Sequence, residues 1–197
     1  MTDESAPHSA PDAPESAKEL AATPERIDKP IVLIGLMGAG KSSVGRRLAA
    51  MMDRGFVDAD DAIEDAAQRT IPEIFEEFGE TYFRDGERRV IARLMEEETG
   101  VIATGGGAFV DPETRALILE RGIAVWIDCD IDTLVERTSR RDHRPLLKTG
   151  DPHEILTKLH KDRSPYYAQA PIRVESQDGP QADTAHAILR ALEEWMG

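Results

Sequence analysis

The chain has a single cysteine, Cys129, so no internal disulfide can staple it. Cys129 sits beside the strand-like run Ala124-Val125-Trp126-Ile127 and reads as a small core residue in preference to a nucleophile. No apolar run approaches the roughly 18 residues of a membrane span. A signal peptide would need a basic start and an apolar middle, and the first residues have neither. A cytoplasmic protein without membrane contact is the expectation. The five histidines lack ligand spacing, so no zinc site is expected. Positive charge is scarce: 24 Lys and Arg stand against 38 Asp and Glu, a net charge of −14. That balance argues against nucleic-acid binding, which needs a basic face. It makes one local exception informative: Arg137, Arg140, Arg141, Arg144 and Lys148 cluster. They form either a solvated loop or a cover for anionic ligands.

What remains describes one globular domain. The 197 residues are 40% apolar and 31% charged, enough for a sizeable core. Residues 1–29 are rich in Ala, Pro, Glu, Asp and Ser and lack an apolar period, so a disordered extension is expected there. The globular part, 30–197, begins near Pro30. Strand-like runs at 31–34, 56–57, 101–104, 123–127 and 172–174 alternate with helical stretches. The helices are expected through about Met52 and at about 61–69, 72–78, 81–98, 131–140, 153–168 and 181–196. One more lies between Asp111, an N-cap followed by Pro112, and Gly122. Residues 141–152 read as a mobile loop. This alternation predicts an α/β fold of three layers, helices on both faces of a parallel sheet.

The first strand, Ile31-Val32-Leu33-Ile34, runs into Gly35-x-x-x-x-Gly40-Lys41-Ser42 and then a helix. This is a phosphate-binding loop in its strand–loop–helix setting, and it names a nucleoside triphosphate with Mg²⁺ as ligand. Glycines at 35, 38 and 40 let backbone N–H groups turn inward. The helix start near Lys41 points its positive end at the phosphates. Lys41 is placed to reach the β- and γ-phosphates, and the Ser42 hydroxyl to coordinate Mg²⁺.

The loop does not name the acceptor. An acidic partner for the metal is expected at the end of an apolar strand, and two places compete: Phe56-Val57-Asp58-Ala59-Asp60 and Val125-Trp126-Ile127-Asp128. The second has the more usual pattern, and the residues alone leave the pair close to level, Asp58 slightly ahead. If the strand continues, Asp58 and Asp60 share one face. One then holds a metal-bound water and the other orients or deprotonates a hydroxyl. Asp61-x-x-Glu64 reads as a capping box, which makes Asp61 structural. Gly105-Gly106-Gly107 follows the third strand, where a parallel sheet places its ligands. Three arginines offer bidentate grips on a carboxylate and on phosphate oxygens: Arg84, four residues after Glu80, Arg144 in the basic loop, and Arg163 near a helix end. Each has a plainer role open to it as an ion pair or solvated side chain.

In order along residues 30–195, these segments resemble shikimate kinases. The matching pieces are Gly35 to Gly45, Asp58-Ala59-Asp60 with Ile63-Glu64, Ile74-Phe75 ahead of Gly79-Glu80, and Phe83-Arg84 with Glu87. Gly105-Gly106-Gly107, Arg144-Pro145-Leu146-Leu147 and Arg163-x-Pro165-x-Tyr167 follow. The resemblance implies a P-loop fold similar to nucleoside monophosphate kinases, with a five-stranded parallel sheet, a substrate-binding helical region and a lid. It implies ATP-dependent phosphorylation of the shikimate 3-hydroxyl, in chorismate and aromatic amino-acid biosynthesis. A monomer is expected. Asp60 is then the catalytic base and, with Arg84, Gly106 and Arg163, the substrate grip. Gly38, Ala39, Gly40, Lys41, Ser42, Ser43, Arg137 and Arg144 hold ATP. Lys41 and Arg144 also serve the transfer. Ser42 and Asp58 take the metal side, which moves the choice to Asp58 over Asp128. After Tyr167 the stretch 168–171 is a residue shorter than in many relatives, and adenine contacts in 176–180 stay unassigned. The nearest alternative is another small-metabolite kinase such as a gluconate kinase. A nucleotide-binding switch without acceptor chemistry is the alternative from another class.

Overall fold

A computed structural model describes residues 27–97, 100–139, 150–177 and 179–197. The basic-loop residues Arg140, Arg141, Arg144 and Lys148, and the lid expected around them, lie outside the described residues. Five strands form one parallel sheet: β1 (Ile31–Ile34), β2 (Phe56–Asp58), β3 (Val101–Ala103), β4 (Ile123–Cys129) and β5 (Ile172–Ser176), in the order β2-β3-β1-β4-β5. The helices of the described residues are α1 (Lys41–Met51), α2 (Ala59–Ala67), α3 (Ile71–Glu97), α4 (Pro112–Arg121), α5 (Ile131–Ser139), α6 (Pro152–Tyr167) and α7 (Gln181–Met196).

The central strand explains the layers. All four residues of β1 are buried, and adjacent ones face opposite ways. Leu33 packs against Gly45 of α1, while Val32 and Met95 of α3 both pack against Gly122. Hence α1 and α7, which pack together, cover one face, and α3 and α4 the other. Successive chain crossings move away from β1 first toward β2 and β3 and then toward β4 and β5. That reversal opens a crevice above the carboxyl end of β1.

Several boundaries follow the expected punctuation. Asp111 accepts the Thr114 N–H at 2.8 Å, Pro112 opens α4, and Gly122 ends it. Others need correction. The packed body starts ahead of Pro30: Ile27 is buried in the core, and Arg54 donates to its carbonyl. Lys29 donates to the Glu120 carbonyl. The capping box expected at Asp61 and Glu64 does not form. Asp58 caps α2, accepting the Asp60 N–H at 3.1 Å, so Asp61 falls inside the first turn. The reciprocal box forms one helix later, where Thr70 and Glu73 exchange bonds at the start of α3. Glu64 serves that start as well, accepting the Ile71 N–H at 2.8 Å. Because the strand stops at Asp58, Asp60 is helical, and strand pleating is not what relates the two carboxylates. Within α3, Gly79 has φ 80° and ψ 177°, which breaks the helix between Phe78 and Glu80 as the two expected segments imply.

Candidate active site

The phosphate-binding loop joins β1 to α1 at the crevice. Gly35, Gly38 and Gly40 all take positive φ (139°, 84° and 89°), a conformation that side chains with a Cβ resist. The turn of Gly40 ends at α1, whose first residues are Lys41, Ser42 and Ser43. This helix start, with Gly38 and the buried Ala39 ahead of it, forms the cradle expected for phosphates. Lys41 folds over this loop, its Nζ donating to the carbonyls of Gly35 and Leu36 at 2.9 Å each. Arg137 on α5 closes the far side. Its guanidinium approaches Gly40, donates to the Gln177 carbonyl at 2.7 Å and reaches the Ser176 hydroxyl at 3.3 Å. The loop thereby abuts the 176–177 segment.

Of the two competing carboxylates, Asp58 faces the loop. The Ser42 hydroxyl donates to Asp58 Oδ2 at 2.6 Å, while Asp58 Oδ1 caps α2. Asp128 is engaged elsewhere, on Arg173 at 2.6 Å and His160 at 3.2 Å. A hydroxyl beside a carboxylate is the hard oxygen set that suits Mg²⁺, so Ser42 and Asp58 fit that ion. Among the described residues no cluster of three or more His, Cys, Asp or Glu gathers as a metal site. A protein oxygen pair that leaves phosphate and water to fill the remaining positions matches the habit of Mg²⁺ in nucleotide sites.

Asp60 lies on the first turn of α2, against the glycine tract that follows β3. Thr104 fixes the tract's start, its N–H and hydroxyl both donating to the Leu33 carbonyl. The three glycines face three different partners. A Cβ at Gly105 would sit 2.8 Å from an Asp60 carboxylate oxygen and 3.3 Å from one of Glu87. At Gly106 it would meet Arg163 Nη1 at 3.2 Å, and at Gly107 it would overlap the Arg84 guanidinium. None of the three has positive φ, so the turns that begin here, with Ala108 N–H on the Gly105 carbonyl and Val110 N–H on the Gly107 carbonyl, do not demand glycine, and its use in the tract is to leave room. The arrangement brings Asp60, Arg84, Gly106 and Arg163 around one short backbone segment, from four different elements. Arg84, Gly107 and Arg163 line a cleft of about 960 Å³ bounded by Phe78, Thr81 and Tyr82 of α3.

Two carboxyl groups in this cluster, Asp60 and Glu87, are shifted upward. Burial, helped by the negative charge of Asp58, pushes the Asp60 carboxyl above the ordinary aspartate value, and Lys41 only partly opposes the rise. Glu87 is 1% exposed and pairs with Arg84 at 2.5 Å. Burial raises its carboxyl to about 7 despite that cation, with Asp60 and Asp111 adding to the rise. Arg84 also reaches the exposed Glu80 at 3.5 Å, so the simple helical pair expected from spacing is present but secondary. Among the described residues no carboxylate pairs with Arg163, which leaves a cation for an external anion. Reasoning from residue types gave no role to Glu87, although it lies three residues after Arg84. Tyr167, named in the Arg163-x-Pro165-x-Tyr167 motif without a role, donates its hydroxyl to the Gly106 carbonyl.

A family model described as shikimate kinase matches residues 37–193. Shikimate kinase from Novosphingobium aromaticivorans is 59% identical over 185 residues, covering 92% of this chain and 96% of the relative. That share exceeds what residues 30–197 alone could supply, so the similarity extends into the leading segment. Shikimate kinase from Caulobacter vibrioides is 55% identical over 166 residues, 84% of this chain and 83% of the relative. The solved structure of shikimate kinase from Acinetobacter baumannii in complex with shikimate superposes with a TM-score of 0.80 at 37% identity. It covers 90% of this chain and 97% of that one. A gluconokinase structure from Sinorhizobium meliloti, at 18% identity and a TM-score of 0.57, shares the fold alone.

Proposed function

The chain belongs to the shikimate kinase family, and from that premise we propose how its own residues divide the work. Its activity is the family's: the γ-phosphoryl group of ATP passes to the 3-hydroxyl of shikimate, giving shikimate 3-phosphate and ADP on the route to chorismate and aromatic amino acids. The observation that carries the assignment of residues is the convergence of Asp60, Arg84 and Arg163 on the 105–107 backbone, next to the phosphate loop. Two arginines with planar forks suit a carboxylate, and a buried, basic aspartate suits a hydroxyl proton.

In this reading Arg84, Arg163 and Gly106 hold shikimate by its carboxylate end, and Asp60 receives its hydroxyls. The 3-hydroxyl oxygen attacks Pγ in line, the bond from Pγ to the β–γ bridging oxygen breaks, and ADP departs. Asp60 accepts the proton released by the hydroxyl, a role its raised proton affinity favours. The N–H groups from Gly38 to Ser43, with Lys41, hold the phosphates and offset charge on the group in flight. Ser42 and Asp58 would hold Mg²⁺, which when bound neutralises phosphate charge. Arg137 bounds the adenine side, supported by its bond to Gln177. Arg144, outside the described residues, takes the lid role that the family resemblance gives it. The same reading makes the protein a cytoplasmic monomer that works without nucleic acid. Elution at the mass of a single chain in gel filtration checks the oligomeric part.

Coupled ADP release in the presence of ATP and Mg²⁺ tests the whole assignment. Shikimate should support turnover, and quinate, gluconate and a nucleoside monophosphate should not. A site that pairs buried polar groups with a matched substrate rejects analogues by roughly 10⁴–10⁵. Comparable turnover of gluconate would overturn the proposal.

A further inference from the structure

Tyr167 stands outside the phosphate loop and the cleft, yet touches two parts of the substrate grip. It ends α6, and its side chain is 1% exposed. Its hydroxyl donates to the carbonyl of Gly106, 61 residues away, and the Arg163 guanidinium faces the same oxygen. Arg163 is one turn earlier on α6, and its Nη1 lies close to the Gly106 Cα. Trp126 of β4 backs the phenol ring, centroids 5.8 Å apart. The Trp126 indole is covered in turn by Arg173 at 4.8 Å.

A phenol oxygen can donate once and accept as well. Here donation goes to the backbone of the glycine tract, and the accepting side is turned to a cation. The rotation of the Gly106 carbonyl fixes the peptide plane shared with Gly107. Gly106 and Arg163 come from separate elements, β3's trailing loop and α6, and nothing local sets their separation. One rigid ring, backed by Trp126 of β4, bridges them.

We propose that Tyr167 is a positioning residue for shikimate, holding the Gly106 peptide and the Arg163 guanidinium at the spacing the substrate carboxylate requires. This rests on the assignment of Gly106 and Arg163 to the grip. Removing the hydroxyl leaves a carbonyl in the site without its donor and frees Arg163 to wander. The loss falls on shikimate recognition and spares the nucleotide, whose loop Tyr167 does not touch.

Tyr167→Phe keeps the buried ring and deletes only the hydroxyl. The shikimate KM should rise about tenfold, the effect of one buried hydrogen bond left unmade. The ATP KM should change by less than about twofold and kcat by less than about threefold on the same reasoning. Stabilisation against heat by ATP should persist and by shikimate should weaken. A purely structural role would lower the melting temperature and leave both KM values in place, which would overturn the proposal. Arg163→Ala, measured beside it, separates the two levels. If it raises the shikimate KM and Tyr167→Phe does not, the positioning role alone falls. If neither does, the grip assignment falls and takes this role with it. Combined with Arg163→Lys, Tyr167→Phe should cost less than the product of the two single effects, because both act on one guanidinium. Should the Phe variant fail to fold, the unaltered enzyme gives an independent reading. The donated Tyr167 hydroxyl proton should be protected from exchange and visible by nuclear magnetic resonance, moving when shikimate binds. Exchange as fast as that of exposed Tyr82 would overturn the proposal.

Discussion

Ser42 and Asp58 are 16 residues apart in sequence and 2.6 Å apart in space, and the same carboxylate caps the helix that carries Asp60. One side chain thus links the proposed metal side of the site to the proposed base. The two duties separate by mutation. Asp58→Asn keeps an oxygen for the Asp60 N–H and loses the charge. The Mg²⁺ concentration for half-maximal rate should rise about tenfold or more, with little change in melting temperature. Asp58→Ala should add a stability loss of about 1 kcal/mol for the missing cap. Titration of Mg²⁺ and thermal unfolding of both variants check this. Asp128→Asn should leave the Mg²⁺ titration where it is, since Arg173 and His160 occupy that carboxylate.

Asp60 offers a test through pH. Its carboxyl holds a proton to higher pH than the usual 3.8, chiefly through burial and then through Asp58. A base must be ionised to work, so kcat/KM should fall on the acid side at a pH above that of an exposed aspartate. Asp60→Asn should lower kcat by about 10²–10⁴ while nucleotide binding survives. A variant that keeps full turnover would remove Asp60 as the base.

Glu87 predicts a slope in stability. Its carboxyl titrates near 4.5 when unfolded and about 7 when folded. Between those values the folded protein holds a proton that the unfolded chain has released. This group's contribution is therefore greatest below about pH 4.5, declines as pH rises to about 7, and is flat beyond. Glu87→Gln removes that decline. Urea midpoints at pH 5 and pH 8 should move closer together in the variant than in the parent, and an unchanged difference would refute the shift.

Gly107→Ala probes the room beside Arg84. The new Cβ would lie 2.8 Å from Arg84 Cζ, the far end of a flexible side chain. The guanidinium should swing aside and the backbone stay put. The shikimate KM is expected to rise about tenfold or more, with a stability change under about 1 kcal/mol. Steady-state kinetics and a melting curve distinguish this from general unfolding.

Much of this architecture was legible because it is written locally. Gly35, Gly38 and Gly40 announce their loop, since few other residues take those φ values. Asp111, Pro112 and Gly122 bracket α4 by the chemistry of helix ends. The strand order and the choice between Asp58 and Asp128 are another matter. Both acids follow short apolar runs, and only packing around Arg173 and His160 takes Asp128 out of contention. The family resemblance chose Asp58 where residue spacing did not. Glu87 reads as one more helical charge until burial between Arg84 and the glycine tract is seen. Tyr167 and Gly106 meet across 61 residues, a distance no periodicity spans. Asp60 was expected from a strand pleat that ends one step too soon, yet its place against Gly105 brings it to the same glycine tract as Arg84 and Arg163.

The anchoring of Ile27 sets where the chain enters the domain. Ile27 is fastened through Arg54, and Lys29 through Glu120, at the amino edge of the sheet. The phosphate loop and the glycine tract leave from the carboxyl edge, across the length of β1, a separation of about 13 Å for four residues. A purification handle, a surface tether or a second protein joined directly to Ile27, in place of residues 1–26, therefore attaches on the side away from both proposed ligand sites. Immobilised through that end, the domain would present its cleft outward.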